Sequence, residues 1–229
     1  MKPFLYVSSA LYALSFITVI VYNVKGTGYL EAASRHLLSS GLFLHTIALG
    51  IRVYLTGHAP MASMYETLLF YSWSTVLVSL IVIFRYRERT TEIVTVPISV
   101  LAILFAFANE KPGGALTLIL RTRWFETHVT ASFAAYSLFT LAFSGALLYL
   151  ICLRCGGADA LLRKFEDIAA RGVLWGLFFF SASMFSGAVW GYLAWGAYWL
   201  WEPKVLWSFI VWFYYAGAMH AYYVKEWRG

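Results

Sequence analysis

Charged residues are scarce in this 229-residue sequence, because only 12% of its residues are Asp, Glu, Lys or Arg. Soluble globular domains carry about 25%, whereas 61% of the residues here are hydrophobic. A soluble globular domain is therefore excluded, and we expect an all-α, polytopic integral membrane helix bundle. The net charge of +6 does not indicate nucleic-acid binding, since the distribution of Lys and Arg between loops matters more in a membrane protein than their sum.

Several catalytic signatures are also absent from the sequence. It has no phosphate-binding loop, no His-x-x-x-His cluster and no Ser, His and Asp set typical of hydrolases. These absences disfavour a hydrolase or a nucleotide-dependent enzyme. No small-residue cleavage site follows the apolar run at residues 4–24. That run therefore predicts a retained transmembrane helix rather than a cleaved signal peptide.

Only two cysteines occur, Cys152 and Cys155, in a C-x-x-C arrangement. No histidine follows Cys155, so the pair is not a covalent heme attachment motif. One interpretation is two small apolar residues at a helix end. The other is a redox pair or a weak metal site.

Long apolar runs separated by short polar segments predict about seven transmembrane helices. We expect them at about residues 4–24, 36–55, 64–84, 93–108, 127–153, 172–189 and 203–224. The charged segment 154–171 predicts an amphipathic helix on the membrane surface. The short apolar centre of segment 109–126 predicts a stretch that lies along the interface. Residues 1–229 are predicted to form a single membrane domain.

Basic residues are distributed unevenly between the two ends of these helices. With seven spans, eleven of the 17 Lys and Arg residues fall on one side and six on the other. The positive-inside rule makes the side with eleven residues cytoplasmic. We therefore expect a protein of the cytoplasmic (plasma) membrane, with the C-terminus in the cytoplasm and the loop before the last helix outside.

Tryptophan is concentrated in one segment, WGYLAWGAYWLWEPK, at residues 190–204. Six of the ten tryptophans lie in or just after it: Trp190, Trp195, Trp199, Trp201, Trp207 and Trp212. Gly191 and Gly196 allow a flat ligand to approach the backbone closely. Glu202 and Pro203 are typical of the start of a helix. We expect an aromatic loop between two helices, since an interfacial belt explains two or three tryptophans but not six.

The five histidines occupy four kinds of position in this topology. His128 is predicted to begin a helix on the outer side, His58 lies in an outer loop, and His36 begins a helix on the cytoplasmic side. His45 and His220 fall at membrane depth, where an ionisable side chain is a functional candidate. Imidazole is a standard axial ligand of heme iron. One hypothesis is an intramembrane heme held by His220 with His45 opposite, and the alternative is that His45 hydrogen-bonds a neighbouring helix.

Basic side chains near the outer surface are candidates to bind heme propionates. They are Arg52, Arg121, Arg123 and Lys204. Glu66 lies three residues after Ser63, a spacing that predicts a capping pair at the start of a helix.

Three stretches resemble the tryptophan-rich (WWD) heme-handling family of cytochrome c assembly, especially its CcsA or ResC type of cytochrome c synthase subunit. They are GAVWGYLAWGAYWLWEPKVLWSFIVWFYYAGAMH at 187–220, GHAPMASMYETLLFYSW at 57–73, and the His-Val pair at 128–129. The resemblance covers roughly residues 35–229, and the first stretch is highly specific.

The resemblance implies a protein of cytochrome c biogenesis that exports heme b and presents it on an external tryptophan loop. The heme would be attached there to the reduced Cys-x-x-Cys-His of an apocytochrome c. It also implies a CcsB/ResB-type membrane subunit as partner, the lipid membrane as surroundings, no nucleic acid, and a place in a holocytochrome c synthase (heme lyase). His128 and His220 match the family's external and intramembrane ligands of heme iron. With the residues singled out above, the expected heme-binding set is His128, His220, His45, His58, Trp190, Trp195, Trp199, Trp201, Trp207, Glu202, Gly191, Gly196 and Arg123.

The sequence departs from the family pattern at two points. Glu202 stands where the family usually has Asp, which keeps the charge and lengthens its reach by one methylene. The family also has a further helix that ends in a second external histidine, and this sequence stops at Gly229 before it. Two other functions remain open, a heme chaperone of the CcmC type and a membrane b-type cytochrome or electron-transfer subunit. The stretch 57–73 favours the synthase type.

Overall fold

The computed structural model of the chain describes residues 1–110, 114 and 116–224. In this part of the chain the secondary structure is entirely helical, as the sequence predicts. The seven α-helices are α1 (Lys2–Lys25), α2 (Gly28–Thr56), α3 (Met64–Tyr86), α4 (Glu92–Ala108), α5 (Arg123–Arg154), α6 (Asp159–Trp195) and α7 (Pro203–Tyr223), and a 3₁₀ helix covers Leu118–Leu120.

Five of the helices in the described residues, α1, α2, α3, α5 and α6, are long and apolar enough to cross a membrane. The apolar helix α4 has 17 residues, which is at the lower limit of about 17–25 for a span. Helix α7 has 21 residues, and much of its exposed surface is Trp and Tyr. The architecture is that of a polytopic helical membrane protein.

Residues 1–115 form one compact unit, in which α1 pairs with α2 and α3 pairs with α4. Further contacts between α1 and α4 and between α2 and α3 close the four helices into a bundle. Its core is apolar and includes Leu5, Tyr12, Leu38, Leu69, Val76 and Ile103. These positions recur at helical spacing, so each helix contributes one stripe to the interior.

A buried polar network holds the end of this unit at which α1 meets α2. Glu92 is fully buried, and its Oε1 accepts a hydrogen bond from Arg89 Nε at 3.0 Å. Its Oε2 accepts from Ser34 Oγ at 3.1 Å, and Arg89 Nη1 also donates to the backbone carbonyl of Glu31. Charge and hydrogen bonds are thus satisfied together, which a buried carboxylate requires.

Residues 116–229 form the second compact unit, built on the antiparallel pair α5 and α6 with α7 against α6. Two glycines bring α5 and α6 together. A Cβ on Gly145 would lie 2.9 Å from the backbone N of Ala169, and one on Gly172 would lie 2.9 Å from that of Ala142. Only glycine permits this approach, so the separation of the two helices is set by backbone contact.

Two predicted helix starts are wrong. Helix α2 begins at Gly28 rather than near His36, because Gly26 ends α1 in the left-handed conformation (φ 66) and nothing between Thr27 and Gly57 interrupts the new helix. Helix α5 begins at Arg123, where the Thr122 side chain accepts a hydrogen bond from the backbone N–H of Phe125. That N-cap lies about one turn before the predicted start at 127.

The separate surface helix predicted at 154–171 is also wrong. Residues Asp159–Trp195 form one continuous helix, α6, of 37 residues. At 1.5 Å per residue its length is about 55 Å, well beyond the roughly 30 Å of a hydrocarbon core. The charged segment from Asp159 onward is therefore the first part of this helix and is continuous with its apolar part. Gly172 does not break it, because that glycine packs against Ala142 of α5.

Candidate functional site

The tryptophan segment is only partly a loop. Trp190, Gly191 and Trp195 lie in the last turns of α6, which ends at Gly196 with φ 74. The irregular chain is short and returns at Pro203 in the first turn of α7. The predicted loop at 190–204 is thus corrected to the residues between α6 and α7. Its start is fixed by Gly196, which adopts the left-handed conformation favoured by glycine.

The predicted start of α7 is confirmed. Glu202 is its N-cap residue, with extended φ and ψ of −106 and 158, and Pro203 stands in the first turn. The backbone carbonyl of Glu202 accepts hydrogen bonds from Val205 N at 3.0 Å and Leu206 N at 3.1 Å. The missing N–H of Pro203 costs nothing there.

A cavity of about 180 Å³ lies where α5, α6, the tryptophan segment and the first turn of α7 meet. Polar groups from each of these parts contribute to its lining. The lining includes His128, Ser132, Tyr136, Ser183, Met184, Trp190, Trp195, Trp199, Glu202 and Lys204. All of them belong to the second unit, so the site is built within residues 116–229.

His128 is held against α6 by a closed set of hydrogen bonds. Its Nδ1 lies 2.8 Å from the backbone carbonyl of Ser183 and 3.1 Å from the Ser183 Oγ. A carbonyl can only accept, so Nδ1 carries the proton. Ser183 Oγ lies 2.6 Å from Ser132 Oγ, which donates to the backbone carbonyl of His128 at 2.8 Å. Nε2 is therefore the ring nitrogen with the lone pair in the neutral imidazole.

The His128 ring also packs against two residues of α6. A Cβ on Gly187 would lie 2.6 Å from Nδ1, so the ring occupies space that any other residue would fill. Trp190 stacks on the ring, with centroids 6.1 Å apart and planes 19° from parallel. Trp190 is itself fixed, since its Nε1 donates to the backbone carbonyl of Ile119 at 2.9 Å.

The six clustered tryptophans divide into three groups. Trp190, Trp195 and Trp199 line the cavity. Trp201 and Trp207 are 78% and 64% exposed and lie outside that lining. Trp212, a residue of α7, packs against α6, where its Nε1 donates to Ser181 Oγ at 2.8 Å.

The two glycines of the segment have different roles. Gly191 is buried, and a Cβ there would lie 3.3 Å from the backbone O of Ala197. The group that approaches Gly191 is thus the returning loop itself. Gly196 has open space around its Cβ position, and its positive φ explains why glycine ends the helix there.

Of the basic side chains proposed for propionates, Lys204 lines the cavity together with the carboxylate of Glu202. Arg121 and Arg123 are exposed and lie outside the lining, and Arg121 Nε donates to the backbone carbonyl of Leu116 at 3.0 Å. Arg52 belongs to the first unit, where it forms a buried ion pair with Glu66 at 2.8 Å. Among the candidates, only Lys204 is therefore in the described cavity.

Glu66 has two roles, of which only one was predicted. Its backbone N–H donates to Ser63 Oγ at 3.3 Å, which confirms the capping pair at the start of α3. Its Oε2 also accepts from the backbone N–H of Ala62 at 2.9 Å, and its Oε1 pairs with Arg52. The carboxylate thus joins the end of α2, the loop and the start of α3.

His58 is a buried loop residue whose two ring nitrogens both face carbonyl oxygens. Nδ1 lies 2.7 Å from the backbone O of Ala59, and Nε2 lies 3.0 Å from that of Gly114. Each ring nitrogen thus has a backbone carbonyl as its partner. Neither nitrogen is available to a metal ion in this arrangement, and the prediction that His58 binds heme stays a prediction.

The two histidines predicted at membrane depth differ in their surroundings. His45 is fully buried, and its Nδ1 lies 3.3 Å from the hydroxyl of Tyr12 on α1, which is the kind of interhelical hydrogen bond proposed as the alternative. Its Nε2 is a buried atom that has no partner among the described residues. His220 lies near the end of α7 and is exposed. Their pairing across a heme stays a prediction.

The two cysteines are both free thiols. Cys152 is buried beside Leu148 and Phe165, whereas Cys155 is exposed at the end of α5. The packing of Cys152 is that of a small apolar residue.

The cavity residues fit heme better than they fit a simple metal ion. In the described residues no three His, Cys, Asp or Glu side chains come together as metal ligands would. Heme iron needs only one or two protein ligands, and His128 offers one. The three tryptophans of the lining supply flat apolar surface, and Lys204 supplies a cation.

A sequence profile described as "Cytochrome C assembly protein" matches residues 61–229, which is well over half of the chain. The chain belongs to this family. Family membership assigns it a role in cytochrome c assembly. Heme handling, an apocytochrome c and a membrane setting are implied by that role.

Curated relatives of the family are similar to the chain along most of its length. One named "Cytochrome c biogenesis protein CcsA", from a strain of Prochlorococcus marinus, is 25% identical, and the match covers 95% of this chain and 82% of the relative. Proteins of the same name from Mesostigma viride and Guillardia theta are 26% and 24% identical. Those matches cover 98% and 80% of this chain and 86% and 70% of the relatives. The family resemblance stated from the sequence is thereby confirmed.

Sequence reasoning missed the residues that position His128 in this family member. Ser132, Ser183 and Gly187 are small residues in apolar helices, which no motif distinguishes from ordinary helix packing. The antiparallel register of α5 and α6 decides that they meet His128, and register is a tertiary property. A spacing of four and then three residues between Ser183, Gly187 and Trp190 is the one signal that a helical face offers.

Proposed function

We propose that the chain binds heme b without covalent bonds at the cavity of the second unit and presents it for attachment to an apocytochrome c. The observation that carries this proposal is the hydrogen bonding of His128, which fixes its tautomer. Its Nδ1 donates to the Ser183 carbonyl at 2.8 Å, so Nε2 keeps its lone pair. A histidine that ligates a metal is usually oriented in this way by a partner on its other nitrogen.

The aromatic lining supports the same proposal. A cavity of about 180 Å³ is close to the roughly 150 Å³ that accommodates benzene in an engineered protein. A whole porphyrin is larger, and the half-exposed Trp195 and Trp199 would offer further flat surface at the edge of the cavity. These rings are 51% and 37% exposed, which leaves apolar surface for the ligand to cover.

Two charged residues of the lining would help to orient heme. Lys204 would attract a propionate, whereas Glu202 would repel one. Trp201 and Trp207 lie outside the lining, and their exposure suits residues of an interfacial aromatic belt. When bound, heme supplies the vinyl groups that form thioether bonds with the two cysteines of Cys-x-x-Cys-His.

The wider assignments of the sequence are part of this proposal. The cavity lies on the outer side of the cytoplasmic membrane, the C-terminus lies inside, and the chain acts as one membrane domain. A CcsB/ResB-type subunit is its partner in a holocytochrome c synthase. A second, intramembrane heme uses His220, with the opposite ligand from His45 or from that partner.

The proposal is tested on the purified full chain, expressed with ample heme. We expect a b-type pyridine hemochrome spectrum, and acid–acetone should extract the heme because it is not covalently bound. Trp199→Ala should lower heme retention, whereas the matched control Trp207→Ala should not, since only Trp199 lines the cavity. Heme-free protein, or equal losses in the two variants, would contradict the proposal.

A further inference from the structure

One face of α6 packs against the imidazole of His128. Ser183, Gly187 and Trp190 are four and then three residues apart, so they lie one above another on the same side of the helix. The backbone carbonyl of Ser183 accepts a hydrogen bond from Nδ1, Gly187 leaves room for the ring, and Trp190 stacks on it. We call these three residues the imidazole socket.

We propose that the imidazole socket fixes His128 in the Nδ1–H form with Nε2 available before heme binds, so that Ser183 and Gly187 are positioning residues. The inference rests on the proposed function, because it explains the orientation of the same iron ligand, His128. It goes beyond that function because it assigns to α6 the residues that set how strongly His128 binds iron. None of the three residues is itself assigned to the iron.

The hydrogen-bond directions are consistent around the whole socket. Ser132 Oγ donates to the His128 carbonyl, so the Ser183 hydroxyl donates to Ser132 Oγ. Ser183 then offers both its carbonyl and its Oγ lone pairs to Nδ1–H. The opposite tautomer would direct the Nδ1 lone pair at a carbonyl oxygen 2.8 Å away, and two acceptors repel each other at that distance.

Gly187 is the residue at which the socket is most easily disturbed. An added methyl group would lie 2.6 Å from Nδ1 and 2.9 Å from Cε1 of His128. The ring must then shift, and we expect this to lengthen or break the hydrogen bond to Ser183 that fixes its tautomer. Loss of such an outer partner typically lowers metal affinity about 10–100-fold.

The test compares Gly187→Ala with Gly217→Ala in the purified full chain. Gly217 lies in α7 of the same unit, and a Cβ there meets nothing within 4 Å. We expect heme to dissociate about 10–100-fold faster from Gly187→Ala and at an unchanged rate from the control. The ferrous iron–histidine stretching band in resonance Raman spectra should fall in frequency only in Gly187→Ala, because an Nδ1–H donor bond strengthens the ligand.

The outcomes separate the socket from the proposed function. If the unmodified chain holds no heme, or if His128→Ala leaves the spectrum unchanged, the proposed function is contradicted. If His128→Ala loses the heme while Gly187→Ala matches Gly217→Ala in rate and band, the socket alone is overturned.

A second variant applies if Gly187→Ala does not accumulate. Ser183→Ala keeps the space for the ring and removes the Oγ that lies 3.1 Å from Nδ1. We expect the same band to shift in the same direction by a smaller amount, since the Ser183 carbonyl remains. An unshifted band would overturn the socket.

Discussion

The buried ion pair between Arg52 and Glu66 provides a prediction whose size follows from the structure. Arg52 Nε lies 2.8 Å from Glu66 Oε1, and the two side chains are only 9% and 2% exposed. We expect Arg52→Met to lower the free energy of unfolding by about 3–5 kcal/mol, because it leaves the carboxylate buried without its cation. The cap bond from Glu66 N–H to Ser63 Oγ and the bond from Ala62 N–H to Oε2 both remain, so the loss lies in the unpaired charge.

The matched variants are Glu66→Gln and the double substitution. Glu66→Gln should cost about 2–4 kcal/mol, because the amide oxygen still accepts one hydrogen bond from Arg52, worth about 1 kcal/mol. The double variant carries neither charge, and apolar or neutral replacement of a buried pair is often close to neutral. We therefore expect it to be more stable than either single variant.

The assay is unfolding of the full chain in mixed detergent micelles, followed by loss of helical circular dichroism. Three midpoints and slopes, compared with the unmodified chain, give the coupling between the two positions. Single variants that each cost less than about 1 kcal/mol would place the pair in the range of exposed salt bridges. Additive losses, with the double variant the least stable, would also show that Arg52 and Glu66 do not stabilise each other as a buried pair.

Three further predictions concern topology, packing and the intramembrane histidines. Trp201→Cys should react with a membrane-impermeant maleimide in intact cells, since position 201 is 78% exposed, whereas the exposed native Cys155 of the unmodified chain should react only after lysis; the reverse pattern would invert the topology. Gly145→Ala should destabilise the chain by about 1–3 kcal/mol through overpacking, because its Cβ would lie 2.9 Å from Ala169 N, and Gly217→Ala should not; equal midpoints in detergent unfolding would contradict this. His220→Ala should lower the heme content measured by pyridine hemochrome, and a normal content in His45→Ala would assign the opposite ligand to a partner subunit. Unchanged heme content and cytochrome c maturation in both histidine variants would remove the intramembrane site.

Helix starts that depend on a few neighbouring residues could be predicted from the sequence. Pro203 and Glu202 mark the start of α7, and the spacing of Ser63 and Glu66 marks that of α3, because caps depend on neighbouring residues. The all-helical class follows from the apolar runs. The family follows from the tryptophan segment, whose composition is rare enough to be specific.

Helix continuity was harder to predict, because charge alone does not end a helix. The segment 154–171 looked like a separate surface helix, yet nothing between Asp159 and Trp195 breaks the hydrogen-bond ladder. Conversely, the aromatic segment 190–204 was predicted to be a loop, although its first residues form the last turns of α6. The αL glycine at 196 is the residue that ends the helix.

The sequence singled out residues whose type alone suggests a ligand. His128, Trp190, Trp195 and Trp199 were chosen in this way, and the structure has them in the lining of one cavity. Arg52 was also a candidate from the sequence, but it pairs with Glu66. Which of the basic residues lines the cavity could therefore not be predicted. Such partners depend on which helices pack together, and spacing along the chain does not reveal that.

We propose that His128 holds a heme at the cavity of the second unit. The most direct measurement is the absorption spectrum and heme count of the purified chain beside those of His128→Ala, each with and without added imidazole. We expect His128→Ala to lose the heme or shift its Soret band, and imidazole to restore both in part. A His128→Ala variant with the heme content and spectrum of the unmodified chain would contradict the proposal.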